Sequence, residues 1–236
     1  MPSIASCLRA IFIASLCILP TSTRAHGYLA VPESRNFLAN SNYCPHCLNA
    51  GGVSKTGKNA KYPDSRHGIC GDPSDGPRDH EVGGKFYTGE ITGSYRKGGL
   101  IEVATAISTY HKGAVEYRIC RFPAGTERDA LTDDCFEKHV LRSPHDATFE
   151  SRWSYLGTGP ERGYNPPKLY YATYRLPSDL TCDGKKYKCV LQMHWVTGNT
   201  CNDPRIPKEH QLSHLQECSD KLWPEEFWNC ADIRII

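Results

Sequence analysis

From about residue 99 onward, apolar and polar residues alternate along the chain in short runs. In Ala114 to Phe122, every second residue from Val115 to Arg121 falls on one face. A repeat of two is typical of a strand with one buried face. The runs that predict strands are Gly99 to Ser108, Ala114 to Phe122, Lys168 to Leu176, Tyr187 to Val196 and Phe227 to Ile236.

Residues 26 to about 96 have a different character, because Gly, Pro, Asn, Asp and Ser dominate there. This composition predicts long loops with little regular structure, the kind that carry function when a scaffold holds them. Helical signals are weak, and only Lys208 to Cys218 predicts a short helix. We therefore predict an all-β fold, an immunoglobulin- or fibronectin III-like antiparallel β-sandwich with long disulfide-pinned loops. Residues 26–236 are expected to form a single catalytic domain.

The first 25 residues have the pattern of a secretory signal peptide. Arg9 precedes an apolar run from Ala10 to Leu19, and Thr23 and Ala25 are small residues at the −3 and −1 positions of a cleavage site. An apolar run of this length is too short to span a bilayer comfortably. We expect cleavage after Ala25, a secreted, extracellular protein and no membrane anchor.

Cysteine content agrees with export. The chain has 12 cysteines, of which Cys7 and Cys17 lie in the predicted signal peptide, so ten remain. An even number in an oxidising compartment predicts up to five disulfides. One pair is locally plausible, since Cys182 and Cys189 flank a turn dipeptide. The formal net charge of +2 gives no basic excess of the kind that nucleic-acid binding needs.

His26 is the residue with the most specific chemistry. If cleavage falls after Ala25, His26 carries a free α-amino group, whose reference pKa of about 7.7–8.0 lets a metal displace its proton near neutral pH. The amine and the imidazole Nδ1 can then form one chelate ring. One further imidazole completes a planar set of three nitrogens, a donor set that favours copper over zinc.

Four segments, in the expected order along the chain, resemble lytic polysaccharide monooxygenases. They are His26 to Leu29 followed by Val31 to Arg35, Thr109 to Gly113 followed by Glu116 to Cys120, Gln192 to Asn199, and Glu225 to Ile233. The cysteine-rich form without an appended module most resembles auxiliary-activity family fifteen, which is known from invertebrates and ferns.

The resemblance implies a role for individual residues. His26 and His111 would be the copper ligands, with one copper per chain, and Phe227 would cover the axial face of the metal, with Trp228 on the opposite side of the strand. Thr109 stands where many relatives have alanine. Tyr28 would either stack on sugar rings or pack under the loop. Two further residues, Gln192 and His194, are open alternatives as hydrogen-bond partners of bound oxygen.

The resemblance also implies the reaction and its partners. Such an enzyme uses dioxygen or hydrogen peroxide and an external electron donor to hydroxylate C1 or C4 of a glycosidic linkage, which breaks the chain. Crystalline chitin is the favoured substrate and cellulose the alternative, with a monomeric enzyme and no nucleic-acid or membrane partner. A different hypothesis is a non-catalytic chitin-binding protein on the same scaffold.

Two other hypotheses start from cysteine and histidine spacings in the loops. Cys44-Pro45-His46-Cys47 has the spacing of a thiol–disulfide oxidoreductase, but no βαβ pattern surrounds it, so a structural disulfide is expected. The spacings of His46, His67 and His80 do not match a zinc site, and these histidines are expected to face solvent.

Overall fold

Two β-sheets build the fold. The computed structural model describes residues 26–39, 44–143, 152–156 and 163–236. Within these ranges the strands are β1 (His26–Val31), β2 (Gly93–Tyr95), β3 (Leu100–Thr109), β4 (Ala114–Pro123), β5 (Ser154–Tyr155), β6 (Gly163–Arg175), β7 (Tyr187–Val196) and β8 (Glu226–Ile235). The helices are short: α1 (Arg35–Leu38), α2 (Val53–Thr56), α3 (Glu127–Ala130), α4 (Asp133–Glu137), and 3-10 turns at Pro45–Cys47 and Lys208–His210.

The strands have the order β1-β3-β6 in one sheet and β2-β8-β7-β4-β5 in the other. Neighbouring strands are antiparallel, except that β2 pairs with β8 in parallel. The prediction of an all-β sandwich is confirmed, and the parallel pair at one edge is an addition to it.

The core lies between the two sheets and consists of the residues that the alternation predicted to point inward. Val115, Tyr117 and Ile119 of β4 are all buried there, at 2% exposure or less. Trp195 of β7 and Phe227 of β8 are fully buried in the same cluster. Burial of these large apolar side chains is the main stabilising contribution of the sandwich.

The strand boundaries differ from the prediction mainly at β6, which begins at Gly163 and not at Lys168. The added residues include Pro166 and Pro167, and proline cannot donate to a sheet ladder. However, β6 lies at the edge of its sheet in the described part of the chain, beside β3, and an edge tolerates proline.

Five disulfides pin the loops to this scaffold. The pairs are Cys44–Cys47, Cys70–Cys230, Cys120–Cys135, Cys182–Cys189 and Cys201–Cys218. The predicted pairing of Cys182 with Cys189 is confirmed, as is the number of disulfides. Cys70–Cys230 joins the long loop before β2 to the last strand, across a sequence separation of 160.

The predicted helix at Lys208 to Cys218 is wrong, because only a 3-10 turn at Lys208–His210 forms. Asn202 provides the reason. Its amide nitrogen donates to the carbonyls of Leu212 and Leu215, and its amide oxygen accepts from the backbone of Leu212. These side-chain bonds replace the backbone ladder that a helix would need.

The histidines expected to face solvent are largely buried, so that prediction is wrong. The ring of His67 stacks on Trp228 with a centroid distance of 3.9 Å. His80 is 1% exposed, and its ring and backbone nitrogens both contact the carboxylate of Asp72. Both histidines therefore have structural contacts that their loop context in the sequence did not indicate.

In the described part of the chain, none of the helices combines the length and the apolar character needed to cross a bilayer.

Candidate metal centre

His26 lies at the start of β1, at one end of the three-stranded sheet. It pairs with Thr109, the last residue of β3, and a register shift follows between His26 and Gly27. A β-carbon at Gly27 would lie 2.6 Å from Ile107 and 2.8 Å from the ring of Trp195. Glycine is therefore needed for the start of β1 to lie this close to the core, which fixes where His26 emerges.

His111 lies two residues beyond Thr109, in the tight connection between β3 and β4. Lys112 and Gly113 turn the chain with φ values of 57° and 82°. A β-carbon at Gly113 would lie 1.9 Å from the carbonyl of Val196, so this approach also requires glycine. The amide of Gly198 donates to the carbonyl of His111 at 2.8 Å, which ties the connection to the end of β7.

Asn199 contacts the side chain of His111. Its Nδ2 lies 2.8 Å from Nδ1 of the histidine, and its Oδ1 accepts from the hydroxyls of Thr197 and Thr200. Because Nδ1 is held in this way, Nε2 is the nitrogen through which His111 would bind a metal. A metal on Nε2 would place the imidazole proton on Nδ1. If the amide of Asn199 is rotated by 180°, its Oδ1 accepts that proton. Its Nδ2 then donates to the hydroxyls of Thr197 and Thr200.

A third imidazole lies next to His26. His46 belongs to the 3-10 turn Pro45–Cys47, and its ring centroid is 5.0 Å from that of His26, with the rings edge to face at 74°. Asn36 anchors the turn by donating to the carbonyl of Pro45 at 2.7 Å. Partial burial lowers the pKa of His46. The expectation that His46 is only a solvent-facing loop histidine is therefore wrong.

Phe227 lies in the core at this end of the sandwich. It is fully buried, and its ring stacks on Trp195 with a centroid distance of 5.0 Å. The indole nitrogen of Trp195 donates to the carbonyl of Lys112 in the His111 connection. Trp228 points to the other face of β8, where it stacks on His67 and His194, so its predicted orientation is confirmed. The axial role of Phe227 remains a prediction.

Tyr28 is 9% exposed, and its ring stacks on Phe37 of α1 at 5.3 Å with an interplanar angle of 14°. Of the two alternatives for Tyr28, this burial favours packing under the loop. Phe37 is the more exposed ring of the pair, at 39%.

Gln192 and His194 lie on the outer face of β7, away from the core face that carries Trp195. Gln192 accepts from Arg118 and donates to the carbonyl of Ile69. His194 contacts two buried carboxylates, Glu116 at 2.8 Å and Glu226 at 2.6 Å. Both side chains are therefore committed to contacts on the side of the sheet opposite to Trp195, and we do not propose either as a partner of bound oxygen.

His194 is held as an imidazolium. Two carboxylates accept from its two ring nitrogens, so both nitrogens must carry a proton. Burial by itself would lower the pKa of His194, but the hydrogen bonds to Glu116 and Glu226 raise it. Burial would likewise raise the pKa of Glu116. The His194 hydrogen bond and the nearby charges, including those of Arg118 and Arg152, lower it to about 2.

This network predicts a specific pH dependence of stability. The pKa of Glu116 falls from 4.5 to about 2 on folding, so its contribution is complete above pH 4.5 and is lost as the pH falls towards 2, by about 3 kcal/mol. The raised pKa of His194 has the opposite sign: its contribution is complete below pH 6.5 and declines as the pH rises through the folded-state value.

The measurement is denaturant-induced unfolding with the disulfides intact, at a series of pH values. Between pH 5 and 2.5 the free energy of unfolding of the wild-type protein should fall more steeply than that of Glu116→Gln, because glutamine does not titrate. Parallel curves for the two proteins would contradict the assignment.

The donor set at the end of the sandwich fits copper. The β1–β3 register pairs His26 with Thr109, the last residue of β3, and His111 follows two residues later. Asn199 orients the imidazole of His111. Imidazole nitrogens suit copper and zinc, and an arrangement of nitrogens in one plane selects copper.

Comparisons with known proteins agree with this arrangement. The sequence profile of a family described as "Lytic polysaccharide mono-oxygenase, cellulose-degrading" matches residues 26–233. A lytic polysaccharide monooxygenase of Emericella nidulans, aasB, is 24% identical over 250 residues, covering 95% of this chain and 75% of that protein. The structure of the AA15 lytic polysaccharide monooxygenase of Thermobia domestica in the Cu(I) state superposes with a TM-score of 0.67 and 29% identity. That match covers 89% of this chain and 98% of the other. The chain therefore belongs to the lytic polysaccharide mono-oxygenase family.

Proposed function

We propose that the mature protein is a secreted, copper-dependent polysaccharide monooxygenase whose chain begins at His26. The amine and Nδ1 of His26 and Nε2 of His111 would hold one copper ion. The observation that carries this proposal is the pairing of His26 with Thr109, two residues before His111, whose Nδ1 is held by Asn199. The family match, which starts at residue 26, supports the same amino terminus.

Bound copper would supply the one-electron chemistry that activates dioxygen or hydrogen peroxide after reduction by an external donor. The residues of the chain position the metal ligands. The glycine at 27 and the turn at Lys112 and Gly113 set where the two imidazoles emerge. Phe227, which is buried against Trp195 at this end of the sandwich, would keep water from the bound copper.

We propose an insoluble polysaccharide as the substrate, with chitin favoured and cellulose as the alternative. The resemblance to auxiliary-activity family fifteen supports chitin, whereas the matched family is described as cellulose-degrading. The enzyme is proposed to act as a monomer and to hydroxylate C1 or C4 of the glycosidic linkage. Because the two lines of support name different polymers, chitin and cellulose are tested in parallel.

The experiment begins with mass spectrometry of the secreted protein to establish its amino terminus. Copper-loaded protein is then incubated with β-chitin or cellulose, ascorbate and trace peroxide, and soluble products are identified. A chain that starts at His26 and releases aldonic-acid or C4-ketone oligosaccharides supports the proposal. A form that retains Ala25 is the matched control, because it lacks the free amine of His26 and should release nothing.

Two outcomes would contradict the proposal. A mature chain that starts elsewhere would remove the amine ligand. A chain that starts at His26 and binds copper and polymer, but releases no oxidised product from either, would favour the non-catalytic binding protein.

Asn199 provides a prediction within this proposal. Asn199→Ala removes the partner of Nδ1 and should weaken copper binding about 10- to 100-fold, the usual cost of losing a hydrogen bond to a metal-binding histidine. Asn199→Asp still offers an oxygen to Nδ1–H and should restore most of the affinity. Copper titration measures both variants, and the electron paramagnetic resonance spectrum reports whether the copper geometry changes.

The matched control is Thr200→Val, which removes only one hydroxyl from the other end of the Asn199 amide. Its affinity should stay within a few-fold of wild type. Equal losses in Thr200→Val and Asn199→Ala, or no rescue by Asn199→Asp, would show that Asn199 acts only by supporting the loop.

A further inference from the structure

The disulfide between Cys44 and Cys47 differs from the other four in exposure. Cys47 is exposed and Cys44 is partly buried. By contrast, each of the other eight paired cysteines is at most 9% exposed. A reductant in solution can therefore reach this sulfur pair and not the others, since thiol–disulfide exchange needs direct access to a sulfur atom.

Reduction of this disulfide also has little structural consequence. The two cysteines are three residues apart, whereas the other pairs span 7 to 160 residues. A disulfide constrains the unfolded chain less when the loop it closes is shorter. The bond from Asn36 to the carbonyl of Pro45 would still hold the turn against the sandwich after reduction.

The same turn contains a set of potential metal ligands. Sγ of Cys44, a ring nitrogen of His46 and Sγ of Cys47 all lie within 4.8 Å of one another. The sulfurs are joined in the oxidised protein, so they become thiolate ligands only after the bond between them is broken. Two thiolates and one imidazole are soft donors that select Cu(I) or zinc over harder cations.

We propose that Cys44–Cys47 is a reducible disulfide whose reduced form, together with His46, is a second copper site that binds Cu(I). A small dithiol reduces the bond: its two sulfurs form a cyclic disulfide, and their two electrons and two protons convert Cys44 and Cys47 to thiols. Binding of Cu(I) then displaces the two thiol protons.

The position of this second site suits it to deliver Cu(I) to His26. The ring of His46 lies 5.0 Å from that of His26, so copper held by the turn is next to the amino-terminal histidine. This relation to His26 rests on the proposed function, whereas binding of Cu(I) by the turn does not. Under reducing conditions the turn would take up Cu(I) beside the His26–His111 site. Hydrogen peroxide would release the ion there: it takes two electrons from the two thiolates and two protons from solvent to give two water molecules, and the disulfide re-forms.

The first experiment maps reduction. Folded, copper-free protein is treated with dithiothreitol, alkylated with iodoacetamide and analysed by peptide mass spectrometry. We expect complete labelling of Cys44 and Cys47 at reductant concentrations that leave the other eight cysteines unlabelled. Labelling of another pair first, or no labelling of Cys44 and Cys47 before the protein unfolds, would overturn the proposal.

The second experiment counts Cu(I). Oxidised protein and reduced protein freed of dithiothreitol under anaerobic conditions are titrated against a chromogenic Cu(I) chelator. The reduced protein should bind one more Cu(I) than the oxidised protein, with sulfur ligands visible by X-ray absorption. His46→Ala should weaken this additional site at least tenfold. Equal stoichiometry in the two redox states would overturn the proposal.

Two variants separate this site from the proposed function. The double variant Cys44→Ser/Cys47→Ser should lose the additional Cu(I) and keep the first. His111→Ala should weaken the first at least about 100-fold and keep the additional one after reduction. If His111→Ala changes nothing, the His26–His111 site fails while the second site stands. If the double variant still binds the additional Cu(I), the second site fails.

Discussion

His111→Ala is expected to lower copper affinity by at least about 100-fold and to abolish release of oxidised oligosaccharides. Loss of an outer hydrogen bond to a metal-binding histidine typically costs 10- to 100-fold, and removal of the imidazole itself removes one of the three proposed nitrogen ligands. Alanine leaves the amine and Nδ1 of His26 as a two-nitrogen chelate, which still binds copper but no longer fixes its geometry. Copper titration and product analysis measure the two effects separately.

The same variant should still fold, with a loss of about 1–3 kcal/mol in the free energy of unfolding, because alanine leaves the amide of Asn199 without the imidazole. The backbone of His111, not its side chain, accepts the bond from Gly198 that ties the connection to β7. His214→Ala is the matched control, because His214 is an exposed histidine and its removal should leave affinity and activity unchanged. Wild-type copper affinity in His111→Ala would exclude His111 as a ligand, whatever the activity of the variant.

The sequence predicted the strands of the scaffold well, because a strand with one buried face shows a local alternation of apolar and polar residues. Tyr187 to Val196 was predicted with the boundaries that β7 has, and the inward residues of β4 followed from alternation alone. Where the prediction was wrong, tertiary context overrode a local signal. An edge position allowed prolines inside β6, and the side chain of Asn202 replaced a helix ladder.

The candidate site was predictable only in part. His26 and His111 were identified as candidate ligands because cleavage and resemblance to a family point to them. Asn199 and His46 were missed as site residues, because their contacts join positions that are 88 and 20 residues apart and leave no periodic trace. The CxxC spacing identified the disulfide correctly, but nothing in the sequence shows that its turn packs beside His26.

The hydrogen-bond network around His194 could not be predicted from the sequence either, although its members occupy paired positions on three neighbouring strands. His194 pairs with Glu116 across β4 and β7 and with Trp228 across β7 and β8. Alternation shows that such residues share a face, but the outer face of a sandwich is expected to be solvated. Here loop residues such as His67 cover it, so the charges are buried.

His194→Leu is expected to lower the free energy of unfolding by about 3–5 kcal/mol near pH 6, since removal of one partner of a buried ion pair leaves the other charges uncompensated. Glu116 and Glu226 are each 2% exposed and would both lose their hydrogen bond to the imidazolium. Glu116 still has Arg152 at 2.5 Å and Arg118 at 3.9 Å, whereas the arginine nearest to Glu226 is Arg205 at 3.5 Å. Glu226 is therefore the carboxylate with the weaker compensation.

The difference in charge compensation between Glu116 and Glu226 provides a further test. In His194→Leu the pKa of Glu116 should rise, because the hydrogen bond and the charge of His194 help to lower it. The variant should therefore lose less stability than the wild type as the pH falls from 5 to 3. Adding Glu226→Gln to His194→Leu should recover part of the loss, because it removes the less compensated charge. His214→Ala, at an exposed site, should stay within about 0.5 kcal/mol of wild type. The test is denaturant unfolding at pH 6 of the wild type, His194→Leu, His194→Leu/Glu226→Gln and His214→Ala. If His194→Leu loses no more stability than His214→Ala, the imidazolium does not stabilise the outer face.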